Sequence, residues 1–135
     1  HPLSDAGQRI LAELQNQLFV LGADLATLPE KKAVIERVDQ KMVAQLEEWI
    51  DELDGQLPAL TSFILPGGCK ASAALNLART VCRRAERYAV SLKQEESISP
   101  NILMYLNRLS DLLFVMARFE NKNAGIEETK WVSRK

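Results

Sequence analysis

The chain has 135 residues, 47% of them apolar and 26% charged, with a formal net charge of −1. That length suits one domain with a real core, and the composition excludes a disordered or low-complexity chain. The charge balance excludes the broad positive surface of a non-specific nucleic-acid binder; the apolar runs fall far short of a membrane span, and no signal-peptide pattern opens the chain.

Four segments carry helical periodicity. The first spans roughly Asp5 to Ala26, with Leu11, Leu14, Leu18, Leu21 and Leu25 as one stripe. Asp5 and Gln8 are spaced for a capping box, and Leu28-Pro29 ends the segment. The second runs from about Lys32 to Leu53, with Ile35, Val38, Met42, Leu46, Trp49 and Leu53 facing inward and Asp54-Gly55 closing it. The third, from about Lys70 to Lys93, has Ala74, Ala78, Val81, Ala85, Tyr88 and Leu92 as its expected core stripe. The fourth opens at Ser99-Pro100, an N-cap followed by proline at the first helical position. Its stripe is Ile102, Leu106, Leu109, Leu113 and Met116, and it fades near Asn123-Ala124-Gly125. No strand-period alternation of useful length and no internal repeat occur. The fold class expected is all-α, an antiparallel helical bundle.

Histidine is nearly absent: His1 is the only one and sits at the terminus, so triads and zinc sites that need histidine are not expected. Cys69 and Cys82 have neither metal-ligand spacing nor the look of a secreted disulfide framework, which predicts reduced thiols and a cytoplasmic protein.

The run Ala78-Arg79-Thr80-Val81-Cys82-Arg83-Arg84-Ala85-Glu86-Arg87 carries the chemistry. Arg79, Arg83 and Glu86 are spaced i, i+4, i+7 and share one helix face. Several guanidinium groups reachable from one side suit a polyphosphate, because the planar fork pairs with phosphate oxygens bidentately. The plainer alternative is a solvated face with arginine–Glu86 salt bridges. In the fourth helix, Asn107 and Asp111 are i, i+4; they either cap a site or face water, and Asp111 can pair with an arginine of the third helix. The loop Phe63-Ile64-Leu65-Pro66-Gly67-Gly68 is apolar, and its glycines precede a helix without forming a Walker loop. Phe63 is either core or an aromatic wall for a ligand. Trp131, in a polar tail, either docks on the bundle or on a ligand, or belongs to a frayed end.

Taken along the chain, the loop at 63–68, the arginine run at 78–87 and the fourth-helix motif, in that order and spacing, resemble the ATP:cob(I)alamin adenosyltransferases of the propanediol-utilisation type. Tyr105-Leu106-Asn107-Arg108-Leu109-Ser110-Asp111-Leu112-Leu113-Phe114 supplies the last of them, and Phe19-Val20-Leu21-Gly22-Ala23-Asp24-Leu25-Ala26 and Glu127-Glu128-Thr129-Lys130-Trp131 also fit. The resemblance implies a ferritin-like up-down bundle, trimeric, with active sites between subunits. It implies transfer of the 5′-deoxyadenosyl group of ATP, bound with Mg²⁺, to cob(I)alamin, with triphosphate leaving. Arg83, Arg84, Glu86, Arg87 and Asn107 then match ATP-binding positions. Arg79 matches an arginine making an intersubunit ion pair beside the nucleotide, and Phe63 the aromatic that closes the lower face of the corrin. No protein side chain is expected to hold a metal, and no nucleic acid or membrane is an expected partner. The family pattern also opens with a Thr-Gly-Asp-type glycine-rich segment and a helix bearing a Val-Asp-Glu-Leu-like motif. Neither lies within residues 1–135, so residues 1–135 are expected to form a single adenosyltransferase domain lacking that segment, with a fifth, N-terminal helix missing. The rival expectations are a non-catalytic nucleotide- or corrinoid-binding bundle, acting as carrier or sensor, and a purely structural oligomer.

Overall fold

The computed structural model describes residues 3–27 and 34–134. Four helices make up most of them: α1 Asp5–Ala26, α2 Gln40–Asp54, α3 Lys70–Glu95 and α4 Pro100–Asn123. Cross-helix bonds fix their directions. Ser4, the N-cap of α1, meets Glu120 near the end of α4, while Gln17 meets Tyr105 near its start. Arg9 of α1 pairs with Glu52 of α2, and Cys69, the N-cap of α3, bonds to Asn121 near the end of α4 while Cys82, further along α3, bonds to Leu106 near its start. Glu47 and Asp54 of α2 follow Arg108 and Arg118 of α4 in the same sense. Successive helices therefore run antiparallel and α2 runs parallel to α4, which is the expected up-down bundle. Among the described residues the only β pairing is an isolated antiparallel bridge between Ile64 and Lys130.

α4 is the central element, packed chiefly against α3 and α2. Its expected stripe (Ile102, Leu106, Leu109, Leu113, Met116) is buried, and so are Tyr105, Leu112, Val115 and Ala117. Each large apolar side chain so enclosed stabilises the fold by about 1.5–3 kcal/mol. Ser99 caps the helix as expected, accepting from the Asn101 N–H at 3.2 Å with Pro100 behind it.

The other helices correct the sequence reading in informative ways. α1 has the expected bounds, but its cap is Ser4, whose Oγ accepts from the Gly7 N–H at 3.0 Å. The Asp5–Gln8 box does not form, because Gln8 Nε2 donates to the Leu3 carbonyl at 2.8 Å instead. Leu14 and Leu21 are buried with Ile10, Leu11 is half-buried, and Leu18 and Leu25 remain exposed.

α2 begins at Gln40 rather than near Lys32, a position outside the described residues. Asp39 is its cap, accepting from the Met42 N–H at 2.9 Å. Ahead of it, residues 34–39 are non-helical, with the Val38 N–H donating to buried Asp24 at 2.8 Å. A short acidic side chain that satisfies the helix's own amides starts a helix where the apolar period alone would carry it further back.

α3 departs most. Its buried residues are Ser72, Leu75, Cys82 and Ala89, while Ala74, Ala78, Val81, Tyr88 and Leu92 of the expected stripe are exposed and Ala85 is half-buried. The two stripes lie about 100° apart on the helix. α3 thus turns its more polar edge toward α4 and leaves an apolar stripe, with Leu77, uncovered.

Candidate active site

Residues 55–69 connect α2 to α3, and two α4 side chains one turn apart hold both ends of this loop. Arg118, 4% exposed, donates from Nη2 to the Pro58 carbonyl at 2.8 Å and from Nε to Glu128 at 2.6 Å; its Nη1 lies 4.0 Å from Asp54. Asn121, also buried, accepts from the Cys69 N–H at 2.9 Å and donates to the Gly67 carbonyl at 3.0 Å. Gly68, at φ +105°, passes so close to Asn121 that a Cβ there would lie 2.2 Å from its Oδ1. Only glycine fits both conditions. Neither Arg118 nor Asn121 was singled out from sequence; the one available signal was their charge and amide inside an otherwise apolar helix end.

The C-terminal tail docks along the loop, settling the choice between docking and fraying. The Leu65 N–H donates to the Thr129 carbonyl at 2.7 Å and the Trp131 N–H to the Phe63 carbonyl at 2.8 Å. Phe63 is not core: it is 78% exposed, and the Trp131 ring meets it edge-on at 6.2 Å between centroids. Behind it, Ile64 to Gly67 close a small cleft of about 60 Å³ against Ser72, Asn76, Arg79 and Phe114. A wider cavity of about 560 Å³ lies at the other end of the bundle, lined by Asp24, Arg37, Leu92 and Asn101 among others, and includes none of the arginine-run residues.

The arginine run is split by the helix. Arg79 is half-buried and lays its guanidinium over the Phe114 ring at 5.0 Å. Arg83, Arg84 and Arg87 are exposed, and among the described residues none of these four arginines makes an ion pair. The arginine–Glu86 bridges of the plain reading are therefore absent. Glu86 instead accepts from Asn107 Nδ2 at 3.2 Å, and Asn107 Oδ1 accepts from Arg108 at 2.8 Å. Asp111 is exposed and, among the described residues, pairs with no arginine of α3, contrary to that part of the expectation. Beneath these groups, Cys82 donates to the Leu106 carbonyl at 3.3 Å, and burial, then Glu86 and Asp111, push its thiol up to about 11. The thiol is thereby held in its protonated form at neutral pH. Burial likewise raises the Tyr105 phenol, which donates to Gln17 at 2.8 Å.

Fold and site together define a helical bundle that offers uncompensated arginines beside a Glu–Asn pair, with an exposed aromatic on an anchored loop. Residues 2–120 match the family model described as cobalamin adenosyltransferase, and the chain belongs to that family. It is 42% identical over 121 residues to the corrinoid adenosyltransferase of Bacillus subtilis, covering 90% of this chain and 62% of that protein. It is 45% identical over 121 residues to that of Mycobacterium tuberculosis, covering 87% and 63%. The chain thus spans less than two thirds of the length of these relatives. A variant PduO-type ATP:corrinoid adenosyltransferase from Lactobacillus reuteri, complexed with cobalamin and ATP, superposes with a TM-score of 0.87 at 36% identity, over 97% of this chain and 75% of that one.

Proposed function

We propose that the protein transfers the 5′-deoxyadenosyl group of ATP to the cobalt of cob(I)alamin. The observation that carries this reading is the state of the α3 arginines. Among the described residues Arg83, Arg84 and Arg87 stand exposed without an ion-pair partner, while Glu86 accepts from Asn107. Cationic forks kept free of local acids are prepared for an anion as highly charged as a triphosphate. The acceptor is already a strong nucleophile, so no general base is required. Cobalt attacks C5′, the C5′–O bond breaks, and its electron pair leaves with the triphosphate. The protein's tasks are to align C5′ with cobalt and to stabilise the charge that develops on the leaving group. Mg²⁺ enters with the nucleotide, bound by its phosphate oxygens.

Phe63 is the proposed wall under the corrin, excluding water and the lower axial ligand. Its exposure on a loop held at both ends supports that role. A homotrimer with sites between subunits is part of the proposal. The apolar stripe of α3, with Leu77, Val81 and Tyr88 exposed, supports an intersubunit contact there, with Arg79 and Asp111 at its margin. No helix of the described residues is long and apolar enough to cross a membrane. The unpaired buried cysteines Cys69 and Cys82 support a reducing, cytoplasmic setting.

The deciding experiment gives the full-length protein ATP and chemically reduced cobalamin and follows adenosylcobalamin and triphosphate. Stoichiometric formation of both is expected. Binding of both substrates by calorimetry without turnover would instead establish a carrier or sensor.

A further inference from the structure

Phe63 is a large apolar ring left mostly in water, and the chain spends several interactions on keeping its backbone in place. Across the bridge, Ile64 faces Lys130, so Phe63 and Trp131 stand directly opposite each other on the same side of the paired segments. Trp131 is itself 51% exposed. Two aromatics that meet edge-on at 77° while both remain wet contribute little to a core. The contact instead sets the Trp131 ring against the Phe63 ring. The tail segment that carries Trp131 is tied in turn to the bundle by Glu128, whose carboxylate meets buried Arg118 at 2.6 Å. Arg118 also holds the start of the loop through the Pro58 carbonyl. One α4 guanidinium thus contacts both the start of the loop that carries Phe63 and the tail that carries Trp131.

We propose that Trp131 is a positioning residue for Phe63, and that the Arg118–Glu128 pair fixes the tail in the register that brings Trp131 to the Phe63 edge. This rests on the reading of Phe63 as the wall beneath the corrin. A freely rotating ring would leave the lower axial ligand room to return, whereas a ring braced at its edge holds one orientation against the corrin face.

The test uses the full-length protein with ATP, comparing Phe63→Ala, Trp131→Ala, Trp131→Phe and the double Phe63→Ala/Trp131→Ala. The readouts are the absorption signature of bound cob(II)alamin without its lower ligand, kcat, KM for ATP, and thermal midpoint. Trp131→Ala is expected to lower the ligand-free fraction and kcat by about 3- to 10-fold, as loss of one edge-on aromatic contact allows. KM for ATP should stay within about two-fold and the midpoint within a few degrees, because the side chain lies outside the core. Trp131→Phe keeps a ring at that edge and should restore most of the signal. In the Phe63→Ala background, removal of Trp131 should add nothing.

If Trp131→Ala leaves the signature intact while Phe63→Ala abolishes it, the positioning role is overturned and the site reading stands. Equal losses in both backgrounds, or a loss that follows ATP binding or folding, overturn it too. If Phe63→Ala itself leaves the signature and kcat unchanged, the reading of Phe63 fails and the positioning role with it.

Discussion

Gly68→Ala tests how the loop is held. The new Cβ would fall 2.2 Å from Asn121 Oδ1 and 2.6 Å from both Cγ and Nδ2, so the Asn121 side chain has to swing away. Moving it breaks its bonds to the Cys69 N–H and the Gly67 carbonyl. At about 1 kcal/mol each, those losses amount to roughly 2 kcal/mol, more where the freed groups stay buried. The backbone at φ +105° adds about 1–2 kcal/mol for a residue with a Cβ. Restriction of the unfolded chain offsets about 0.4–1 kcal/mol. The net expectation is destabilisation by about 3 kcal/mol, or roughly 10 °C in Tm for a domain of this size. Urea unfolding of Gly68→Ala in two backgrounds separates the contributions. With Asn121→Ala already present, all three clashing atoms are gone, and Gly68→Ala should cost only about 1 kcal/mol, the backbone share. An equal cost in both backgrounds, or a cost below about 1 kcal/mol in the native one, would refute the interlock.

Arg83→Ala should raise KM for ATP by about 10- to 100-fold in steady-state assays, the effect of losing one charge-assisted contact, while urea unfolding shows little change because the side chain is exposed and unpaired. Asp24→Asn should destabilise by about 2–4 kcal/mol in the same unfolding assay, since this buried carboxylate accepts from Arg37 at 2.9 Å and from the Val38 N–H. Stability should also fall on the alkaline side. Native Cys82 keeps its proton up to about 11, whereas the unfolded thiol loses it near 8.5. The folded state therefore holds the extra proton in that window. Unfolding free energy should drop by about 1.4 kcal/mol per pH unit between the two values, and Cys82→Ala should flatten that slope.

The fold was legible where one signal dominated. Ser99-Pro100 and the Ile102-to-Met116 stripe gave α4 correctly, because a helix buried on most sides shows its period whichever face is counted. α3 was misread for the opposite reason. Its real contact face contains Ser72, Arg79, Cys82 and Glu86, and polarity there hid it, while the more apolar stripe through Val81 and Tyr88 faces outward in this chain. The start of α2 was misplaced because Ile35 and Val38 continue the period while the Asp39 cap ends it. In the site, types and spacing located the arginines and Phe63. What holds them was invisible, since Arg118, Asn121 and Glu128 act through contacts between residues up to 60 positions apart.

The arrangement around Glu86 shows why an acid belongs inside an arginine run. Placed three residues from Arg83, a free carboxylate would pair with its guanidinium and neutralise part of the face on which a polyphosphate is proposed to sit. Asn107 prevents this at little electrostatic cost. Its amide is neutral, so it binds Glu86 through Nδ2 without adding positive charge, and its own oxygen is taken by Arg108, which Glu47 of α2 holds at 3.6 Å. The relay spans three helices and keeps the acid turned toward α4 while the arginines point outward. Asn107→Ala should then act in two ways at once. Its own contact is lost, and Glu86 is released to pair with Arg83. A larger rise in KM for ATP in Asn107→Ala than in Asn107→Ala/Glu86→Gln, relative to the respective Asn107 parents, is the expected outcome. Equal rises would mean that Asn107 acts only through its own contact and that Glu86 needs no restraint.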